Sequence, residues 1–443
     1  MTATLPERST ATTTTAAGTP VDRSSRNTAV LVLFTAVTNL ADGALKVALP
    51  LIAVSLTSSP VLVSGVYTAM MLPWLFAALH VGVLVDRVDR RVLLWLANLV
   101  RIAVVGVFLV ATLSGAASLP MIYVGGVLLG VAEVVALTSA AALIPTAVAP
   151  QARERANSWL TGAETVCNEF VGPFIGGVLV AAGAGVVLGS TALGYLLTTA
   201  TLLFLVGRFR VARTAGARTA TVHGQIREGL SFLWRQRLLR VMTLLVGVLV
   251  SLWGAWLALM PLFATTRMGL SPSDYGLLVG ALGAGGVCGS LLVFPVNRLI
   301  GRRWAMFANI PFTAALVATP ALSTDVWVVG VGAFLGGFGG GLWVVNARTI
   351  SQTLVSERMM GRYSAVSRLF GWGAGPVGAL LAGVVAEWWD PQFAFGLFAV
   401  FALVVVVPFL RVFSPSVAAD TEHRIAEGTP AESGKNEEEV ERR

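Results

Sequence analysis

Four charged residues lie inside long apolar stretches of the sequence and are the first candidates for chemistry. Asp42 and Lys46 are four residues apart in the first stretch, Glu133 lies in the fourth and Glu169 in the fifth. An ionised group in an apolar layer costs about 2.5 to 3.5 kcal/mol, so each is a candidate functional group. A spacing of four places Asp42 and Lys46 on one helix face. We predict that Asp42 binds a proton or a cation and that Lys46 tunes it, with a fixed structural ion pair as the alternative.

Roles for Glu133, Glu169 and Arg101 are predicted from the residues around them and from their positions around the helix. Glu133 has no charged neighbour in its own stretch, so it is predicted to take up and release protons, with a hydrogen bond to a neighbouring helix as the alternative. Glu169 is preferred to Glu164 because it lies deeper, and because five helical residues turn by about 140°, so only one of them faces inward. Arg101, inside the third stretch, must find a buried partner, and the expected partner is Glu164 or Glu133.

The composition of the chain requires a membrane. Of the 443 residues, 56% are hydrophobic and only 12% are charged, and the mean hydropathy is +0.78. A hydrocarbon layer about 30 Å thick needs about 20 apolar helical residues per crossing, and the sequence provides about twelve such runs. They predict an all-α integral membrane protein with transmembrane helices near 28–56, 61–86, 91–113, 120–148, 157–182, 186–207, 238–264, 273–297, 303–322, 325–352, 361–386 and 393–413.

The arginines predict the orientation of these helices. They are concentrated in alternate loops, whereas the opposite loops contain a single arginine, Arg267. By the positive-inside rule, the arginine-rich loops and both termini face the cytoplasm of a cell membrane. The basic residues are spread over separate membrane-flanking places, so the net charge of +8 does not indicate nucleic-acid binding. Residues 1–27 and 414–443 are polar and are predicted to be disordered cytoplasmic ends.

Two sequence features occur once in each half of the chain. The stretch 82–91 reads GVLVDRVDRR, and a degraded echo, NRLIGRR, occupies 297–303. A Gly-Pro pair at 172–173 in the fifth run is matched by another at 375–376 in the eleventh. These repeats predict two pseudo-symmetric halves of six helices, at 28–207 and 238–413, joined by a cytoplasmic linker at 208–237. An amphipathic helix on the inner membrane surface is expected over 226–239.

The sequence has no pattern typical of an enzyme or a cofactor site. Cys167 and Cys288 lie in separate apolar runs, and the three histidines are scattered. The glycine-rich stretch 336–341 follows no strand, so it does not fit a dinucleotide site. The protein is therefore not expected to be an enzyme or to require a metal or another cofactor.

The duplicated helices, the basic linker and the loop after the second helix resemble the major facilitator superfamily over residues 28–413. The loop pattern of that family, Gly-x-x-x-Asp-Arg-x-Gly-Arg-(Arg/Lys), is matched by Gly82, Asp86, Arg87, Arg90 and Arg91. Asp89 stands where the second glycine is expected, and aspartate tolerates tight turns. The resemblance implies that this stretch is a cytoplasmic gating loop that locks the outward-facing state by charge.

The fifth helix resembles the antiporter signature of the drug-exporting branches through Gly172, Pro173, Gly176 and Gly177. Glycines permit close helix contact and proline frees a backbone carbonyl, which predicts a bend about which the halves rock. A kinked packing helix is the alternative. Residues 39–43, 72–74, 86–91 and 156–158 are similar to the exporter group of macrolide-efflux and enterobactin-efflux proteins. The arginine of many drug/proton antiporters is absent from the fourth helix, where Glu133 is the only charge.

Aromatic residues on helices that line the cavity by resemblance indicate the substrate class. An apolar pocket for bulky lipophilic molecules is predicted from Phe34, Trp253, Trp256 and Trp343. The sequence therefore predicts a monomeric secondary transporter that exports a lipophilic drug, siderophore or secondary metabolite. Its predicted mechanism is proton antiport by alternating access, with the proton gradient as energy source and membrane lipids around it. A lipid flippase, a solute importer of the same fold and a non-transporting membrane sensor are the alternatives.

Overall fold

The structure, a computed structural model, describes residues 20–206 and 222–427, apart from the side chains of a few residues within these ranges. Every regular element in the two ranges is helical. The first range contains α1 (Pro20–Leu56), α2 (Pro60–Arg87), α3 (Arg90–Leu113), α4 (Leu119–Ala147), α5 (Arg153–Thr165), α6 (Gly172–Ala182) and α7 (Ala184–Thr201). The second contains α8 (Val222–Arg235), α9 (Arg237–Thr266), α10 (Pro272–Leu291), α11 (Val293–Phe307), α12 (Asn309–Leu322), α13 (Val326–Leu354), α14 (Glu357–Trp372), α15 (Ala374–Trp388), α16 (Pro391–Ala402), α17 (Val406–Val412) and α18 (Pro415–Glu427).

Ten helical segments of the described chain are long and apolar enough to cross a membrane. The pair α11 and α12, bent by 57°, makes an eleventh. Helix α2 is apolar from Pro60 to Phe76 and continues to Arg87. Each apolar run of the sequence coincides with one of these helices or helix pairs, so the predicted all-helical membrane fold is confirmed. Such runs form helices because a helix satisfies its backbone polar groups within one segment.

The two copies of the charged loop turn in different ways. Asp89 accepts a hydrogen bond of 2.9 Å from the Arg91 amide and so caps the start of α3. Its backbone angles, φ −59° and ψ 121°, do not require glycine. In the second copy the chain turns at Gly301, whose φ of 78° is readily adopted only by glycine. A capping carboxylate therefore replaces glycine in the first copy, and glycine makes the turn in the second.

The two Gly-Pro pairs lie next to breaks in equivalent helices. Helices α5 and α6 are joined by one π-helical turn, Val166–Val171, after which the Gly172 N–H donates to the Cys167 carbonyl. Pro173 has no N–H, so it interrupts α-helical hydrogen bonding directly after this turn. The matching segment of the second half breaks at Gly373, between α14 and α15. Each half therefore contains one segment whose α-helix is interrupted next to its Gly-Pro pair.

The bundle is closed at the end opposite the chain termini. Helix α2 packs on α15, and α6 packs on α10. A Cβ atom added to Gly177 of α6 would lie 2.5 Å from the Cα of Gly276 in α10, so the two backbones are in direct contact. Near the termini, by contrast, α5 buries only Ala156 and Leu160. The direct backbone contact between α6 and α10 therefore joins the halves at the end opposite the termini.

Helical structure extends beyond the predicted boundaries of the membrane domain. Helix α1 begins at Pro20, and Ser24 and Asn27 are buried within the segment 1–27. Helix α18 occupies the start of the segment 414–443, with Thr421 buried. The predicted disorder is therefore wrong for 20–27 and 415–427, where polar side chains are packed against the bundle. The rest of both segments lies outside the described residues.

The linker contains the expected amphipathic helix, displaced by a few residues. Helix α8 covers Val222–Arg235 and stops before Gln236, whereas the sequence predicts a helix over 226–239. Its Leu233 is fully buried, and Glu228 forms an ion pair with Arg362 of α14. The linker helix is thus attached to the second half. Residues 207–221, which precede it, lie outside the described residues.

Asn27 ties the start of the bundle to two other helix ends. Its amide nitrogen donates to the carbonyls of Ala147 and Val206 at 3.0 Å each, and its oxygen accepts from the Val206 amide at 3.1 Å. Asn27→Ala leaves these backbone groups unsatisfied, so we expect it to lower the free energy of unfolding by about 1–3 kcal/mol. Thermal unfolding in detergent measures the effect, with the exposed Asn157→Ala as control. An unchanged melting temperature for Asn27→Ala would contradict this assignment.

Candidate functional site

Lys46 is the centre of a polar cluster in the first half. Its ammonium donates to Asn168 Oδ1 at 2.7 Å and lies 3.4 Å from Glu133 Oε1 and 3.9 Å from Glu169 Oε1. The Asn168 amide nitrogen donates to Glu133 Oε1 at 3.2 Å and to Asn39 Oδ1 at 2.7 Å. Helix α1, helix α4 and the π-helical turn supply these groups. The structure thus brings together three of the four charges selected from the sequence.

The cluster is covered on one side and accessible on the other. The side chain of Glu133 is 6% exposed and that of Lys46 20%, whereas that of Glu169 is 50% exposed. One ammonium faces two carboxylates, so the cluster is negative when both are ionised. An uncompensated carboxylate attracts protons and cations most strongly where water is scarce. The accessible side of the cluster, at Glu169, is therefore suited to binding a proton or a cationic group.

Asp42 belongs to a second network, which is fully buried. Arg101 Nη2 lies 2.6 Å from Asp42 Oδ2, and the Tyr195 hydroxyl donates to Asp42 Oδ1 at 2.6 Å. The guanidinium also donates to Asn98 Oδ1 at 3.1 Å, and Arg101 has no exposed surface. Asn98 in turn donates to two threonine hydroxyls of α7, those of Thr198 and Thr199. The network joins α1, α3 and α7, and each buried charge lies against the opposite charge that burial demands.

The expected partner of Arg101 is wrong, and the ion pair of Asp42 with Lys46, which was the alternative to a functional role, does not form. Asp42 and Lys46 share a face of α1 but form no ion pair with each other, and Arg101 bridges neither Glu164 nor Glu133. Neighbouring helices place a closer opposite charge beside each member of the α1 pair. Asp42 consequently has the surroundings of a fixed structural ion pair with Arg101, whereas Lys46 lies between Glu133 and the half-exposed Glu169.

A small internal cavity lies between the two networks. It is about the size of one water molecule and is lined by Asp42, Leu45, Met70, Leu129, Gly130 and Glu133. Asp42 and Glu133, which belong to different networks, therefore line the same cavity.

Comparison with known protein families settles what kind of protein this arrangement belongs to. The family model described as Major Facilitator Superfamily matches residues 31–370, and a second match covers 257–437. The chain belongs to the major facilitator superfamily. It is therefore a membrane transporter and not an enzyme, and the superfamily fold predicted from the loop and helix motifs is confirmed.

Several relatives within the superfamily match most of the chain. The multidrug efflux pump Tap of Mycobacterium tuberculosis strain H37Rv is 29% identical over 400 residues, which cover 87% of this chain and 92% of the relative. Tap of Mycolicibacterium fortuitum is 27% identical over 395 residues, with 87% and 94% covered. The uncharacterized MFS-type transporter y4rN of Sinorhizobium fredii is 26% identical over 360 residues, with 80% and 87% covered.

Solved transporter structures share the fold at low sequence identity. A bacterial homologue of the iron transporter ferroportin, in the inward-facing state, gives a TM-score of 0.68 at 16% identity and covers 90% of this chain and all of its own. A bacterial homologue of the lysosomal transporter Spinster, also inward-facing, gives 0.65 at 15% identity, with 92% and 99% covered. The nucleoside transporter NupG gives 0.65 at 12% identity, with 87% and 99% covered.

The superfamily loop is described in part. Arg90 Nη1 donates to the Ala142 carbonyl at 2.7 Å, and Arg91 Nη2 donates to the Leu202 carbonyl at 3.0 Å. Both acceptors lie near the C-terminal ends of helical segments, where a positive charge is favourable. Gly82 lies within α2, whereas the side chains of Asp86 and Arg87 lie outside the described part of the protein. The gating role of this loop stays a prediction.

The antiporter-like glycines make close contacts in two directions. Cβ atoms on Gly172 and Gly176 would lie 2.8 and 2.5 Å from the carbonyl oxygens of Leu40 and Ala44 in α1. Gly177 faces α10 of the other half, as described above. Pro173 lies between them, at the start of α6. These residues therefore serve packing within the first half and contact between the halves, while their part in a rocking motion stays a prediction.

The selected aromatic residues do not form a pocket in this conformation. Phe34, Trp256 and Trp343 are 2%, 0% and 3% exposed because neighbouring helices cover them. Trp253 is partly buried against the same second-half core that contains Trp256 and Trp343. The predicted aromatic cavity is therefore not formed by the four side chains together, and three of them contribute to helix packing.

Sequence reasoning missed several polar members of the two networks. Asn39, Asp42 and Lys46 recur at spacings of three and four residues, which is the signal of one polar helix face in an otherwise apolar run. Asn168 is visible in the sequence as a polar residue in the apolar fifth run, and its amide contacts both Lys46 and Glu133. Tyr195 has no sequence signal that connects it with Asp42.

Proposed function

We propose that this transporter exports lipophilic small molecules from the cytoplasm across the cell membrane in exchange for protons. The proton gradient supplies the energy without a cofactor, and the protein works as a monomer surrounded by lipid. Its termini and arginine-rich loops lie in the cytoplasm, in agreement with the positive-inside rule. Relatives named multidrug efflux pumps, at 29% and 27% identity, support outward transport and drug-like substrates.

The Lys46 cluster carries the proposal. Two carboxylates share one ammonium, and Glu169, the more distant carboxylate, is half exposed. A proton or a cationic group that binds Glu169 competes with Lys46 for the same carboxylate. A proton bound at Glu169 therefore weakens binding of a cationic substrate group there. By the same coupling, the bound substrate group weakens binding of the proton. Mutual exclusion at a shared carboxylate is the property that exchange of substrate for protons requires.

The closed end of the bundle supports alternating access. With the arginine-rich end in the cytoplasm, the end held closed by contacts between the halves faces the outside, as expected for an inward-facing state. Export then requires the contacts of α2 with α15 and of α6 with α10 to separate while the cytoplasmic ends close. Such a rigid-body movement of two domains about an interface is a common route of conformational change.

Transport in liposomes tests the proposed function. The purified protein is reconstituted, a pH gradient is imposed, and movement of lipophilic dyes, macrolides and siderophores is followed. We expect movement that depends on the gradient and is lost in Glu169→Gln. The matched control is Glu154→Gln, which neutralises an exposed carboxylate near the start of α5. Transport that is indifferent to the pH gradient would refute proton antiport.

Glu387 of α15 caps the N-terminus of α2 across the closed end. Its Oε2 accepts hydrogen bonds from the Ser59 hydroxyl at 2.6 Å and from the Val61 amide at 3.2 Å. A carboxylate at a helix N-terminus contributes about 0.3–1 kcal/mol. Since 1.4 kcal/mol is a factor of ten, we expect Glu387→Gln to increase the population open at this end about two- to fivefold.

Distances between spin labels measure this population. The labels are attached at Ser114→Cys and Thr324→Cys, two exposed sites at the closed end, one in each half. Cys167 and Cys288 are replaced by serine in all variants. Asp390→Asn serves as control because this carboxylate caps α16 and pairs with Arg267 within the second half. Identical distance distributions for Glu387→Gln and the parent protein would show that the contact does not hold this end closed.

A further inference from the structure

Asn168 connects the Lys46 cluster to the π-helical turn in the fifth membrane-spanning segment. It is the buried residue of the π-helical turn and is 3% exposed. Its oxygen accepts from Lys46, and its nitrogen donates to Asn39 and Glu133. The charges fix this orientation, because a reversed amide would turn its donor toward the ammonium and its oxygen toward the carboxylate. The orientation of the Asn168 side chain therefore depends on the charges of both Lys46 and Glu133.

The backbone of the same turn is held between the two halves. Cβ atoms added to Gly43 of α1 and to Gly283 of α10 would lie 2.6 Å from the carbonyl oxygens of Asn168 and Glu169, respectively. Helix α10 belongs to the second half. The Glu169 carbonyl has no α-helical donor, because the residue four positions later is Pro173. Any displacement of this turn therefore changes a direct contact between the halves.

We propose that Asn168 is a positioning residue that transmits the charge state of Glu133 to the contact between the π-helical turn and α10. The inference rests on the proposed function, since it concerns the same carboxylates. An ionised Glu133 holds the Asn168 amide, and with it the turn, beside Lys46 and Asn39. A neutral Glu133 holds the amide less strongly, so the turn loses one anchor and its contact with Gly283 changes. Single π-helical turns within α-helices are frequently found at functional sites.

A conformational double-mutant cycle tests this role without substrate or a proton gradient. The labels at Ser114→Cys and Thr324→Cys again report opening at the closed end, in the background without Cys167 and Cys288. Glu133→Gln imitates the neutral carboxyl. We expect Glu133→Gln alone to change the ratio of open to closed molecules about threefold or more. In the presence of Asn168→Ala, the same substitution should change the ratio less than about 1.5-fold.

The matched control is Asn309→Ala in the second half. Asn309 is equally buried, at 3% exposure, and accepts from the Thr313 hydroxyl on its own helix. Its effect should be additive with that of Glu133→Gln. Two results overturn the inference: an equal effect of Glu133→Gln with and without Asn168→Ala, or no effect of Glu133→Gln on its own. If Asn168→Ala does not fold, Asn168→Ser replaces it in the same cycle. If Glu133→Gln and Asn168→Ala are not additive but no gradient-driven transport is found, antiport is refuted and this inference stands.

Discussion

Replacement of Arg101 by leucine is expected to lower the free energy of unfolding by about 3–5 kcal/mol. The substitution leaves the Asp42 carboxylate, which is 6% exposed, without its cationic partner at 2.6 Å. Asn98 also loses the guanidinium donor to its side-chain oxygen. Little water can replace these contacts, because α1, α3 and α7 enclose the site apart from the cavity of about one water molecule beside Asp42. The yield of folded protein and its thermal unfolding in detergent measure the effect.

A second variant separates the effect of charge from that of packing. Asp42→Asn combined with Arg101→Leu removes both charges, and neutral replacement of a buried ion pair is often without cost to stability. We expect the combination to recover most of the stability lost in Arg101→Leu. Arg267→Leu, which breaks a largely exposed ion pair with Asp390, should cost about 0–1 kcal/mol. A combined variant no more stable than Arg101→Leu would show that the buried charge is not the cause.

Lys46→Met is expected to slow gradient-driven transport about tenfold to a hundredfold. It removes the charged donor that Asn168, Glu133 and Glu169 share. A hydrogen bond to a charged group contributes about 1.5–3 kcal/mol, and each 1.4 kcal/mol is a factor of ten. Without the ammonium, proton and substrate no longer compete with a resident cation for the carboxylates. The initial rate of substrate movement in liposomes measures the loss.

Two further variants distinguish lost function from lost folding. Lys46→Met combined with Glu133→Gln removes the unpaired buried charge, so we expect folded protein that still does not transport. Lys46→Arg keeps the positive charge and should retain part of the activity, although a guanidinium fork does not fit the position of a single ammonium. A parental transport rate for Lys46→Met would remove Lys46 from the mechanism.

The membrane helices could be predicted from the sequence because burial in lipid leaves a long, continuous signal. Every apolar run corresponds to a helix or a helix pair, and the Gly-Pro pairs mark the breaks. The ends were less predictable, since hydropathy does not detect polar side chains that pack by hydrogen bonding. Asn27 is polar in the sequence but buried in the fold, where it binds the carbonyl groups of Ala147 and Val206.

The composition of the site was predictable in part, whereas its pairing was not. A spacing of four residues correctly placed Asp42 and Lys46 on one face of α1. Their partners Arg101 and Glu133 come from α3 and α4, whose rotation against α1 depends on side-chain packing across the bundle. The spacing of residues along a single helix does not determine how neighbouring helices are rotated against it. Asn168 carries a usable signal, because a polar side chain in an apolar membrane segment is expected to find partners on other helices.

Proton movement driven by a substrate gradient tests the central claim most directly. The protein is reconstituted in liposomes that enclose a pH-sensitive dye, at equal pH on both sides. A gradient of a lipophilic quaternary ammonium dye is then imposed, since such a cation carries no proton of its own. We expect protons to move against the direction of the dye in the parent protein and in Glu154→Gln, and not in Glu169→Gln. Movement of the dye through the parent protein without any proton flux would contradict the exchange of substrate for protons at the Lys46 cluster.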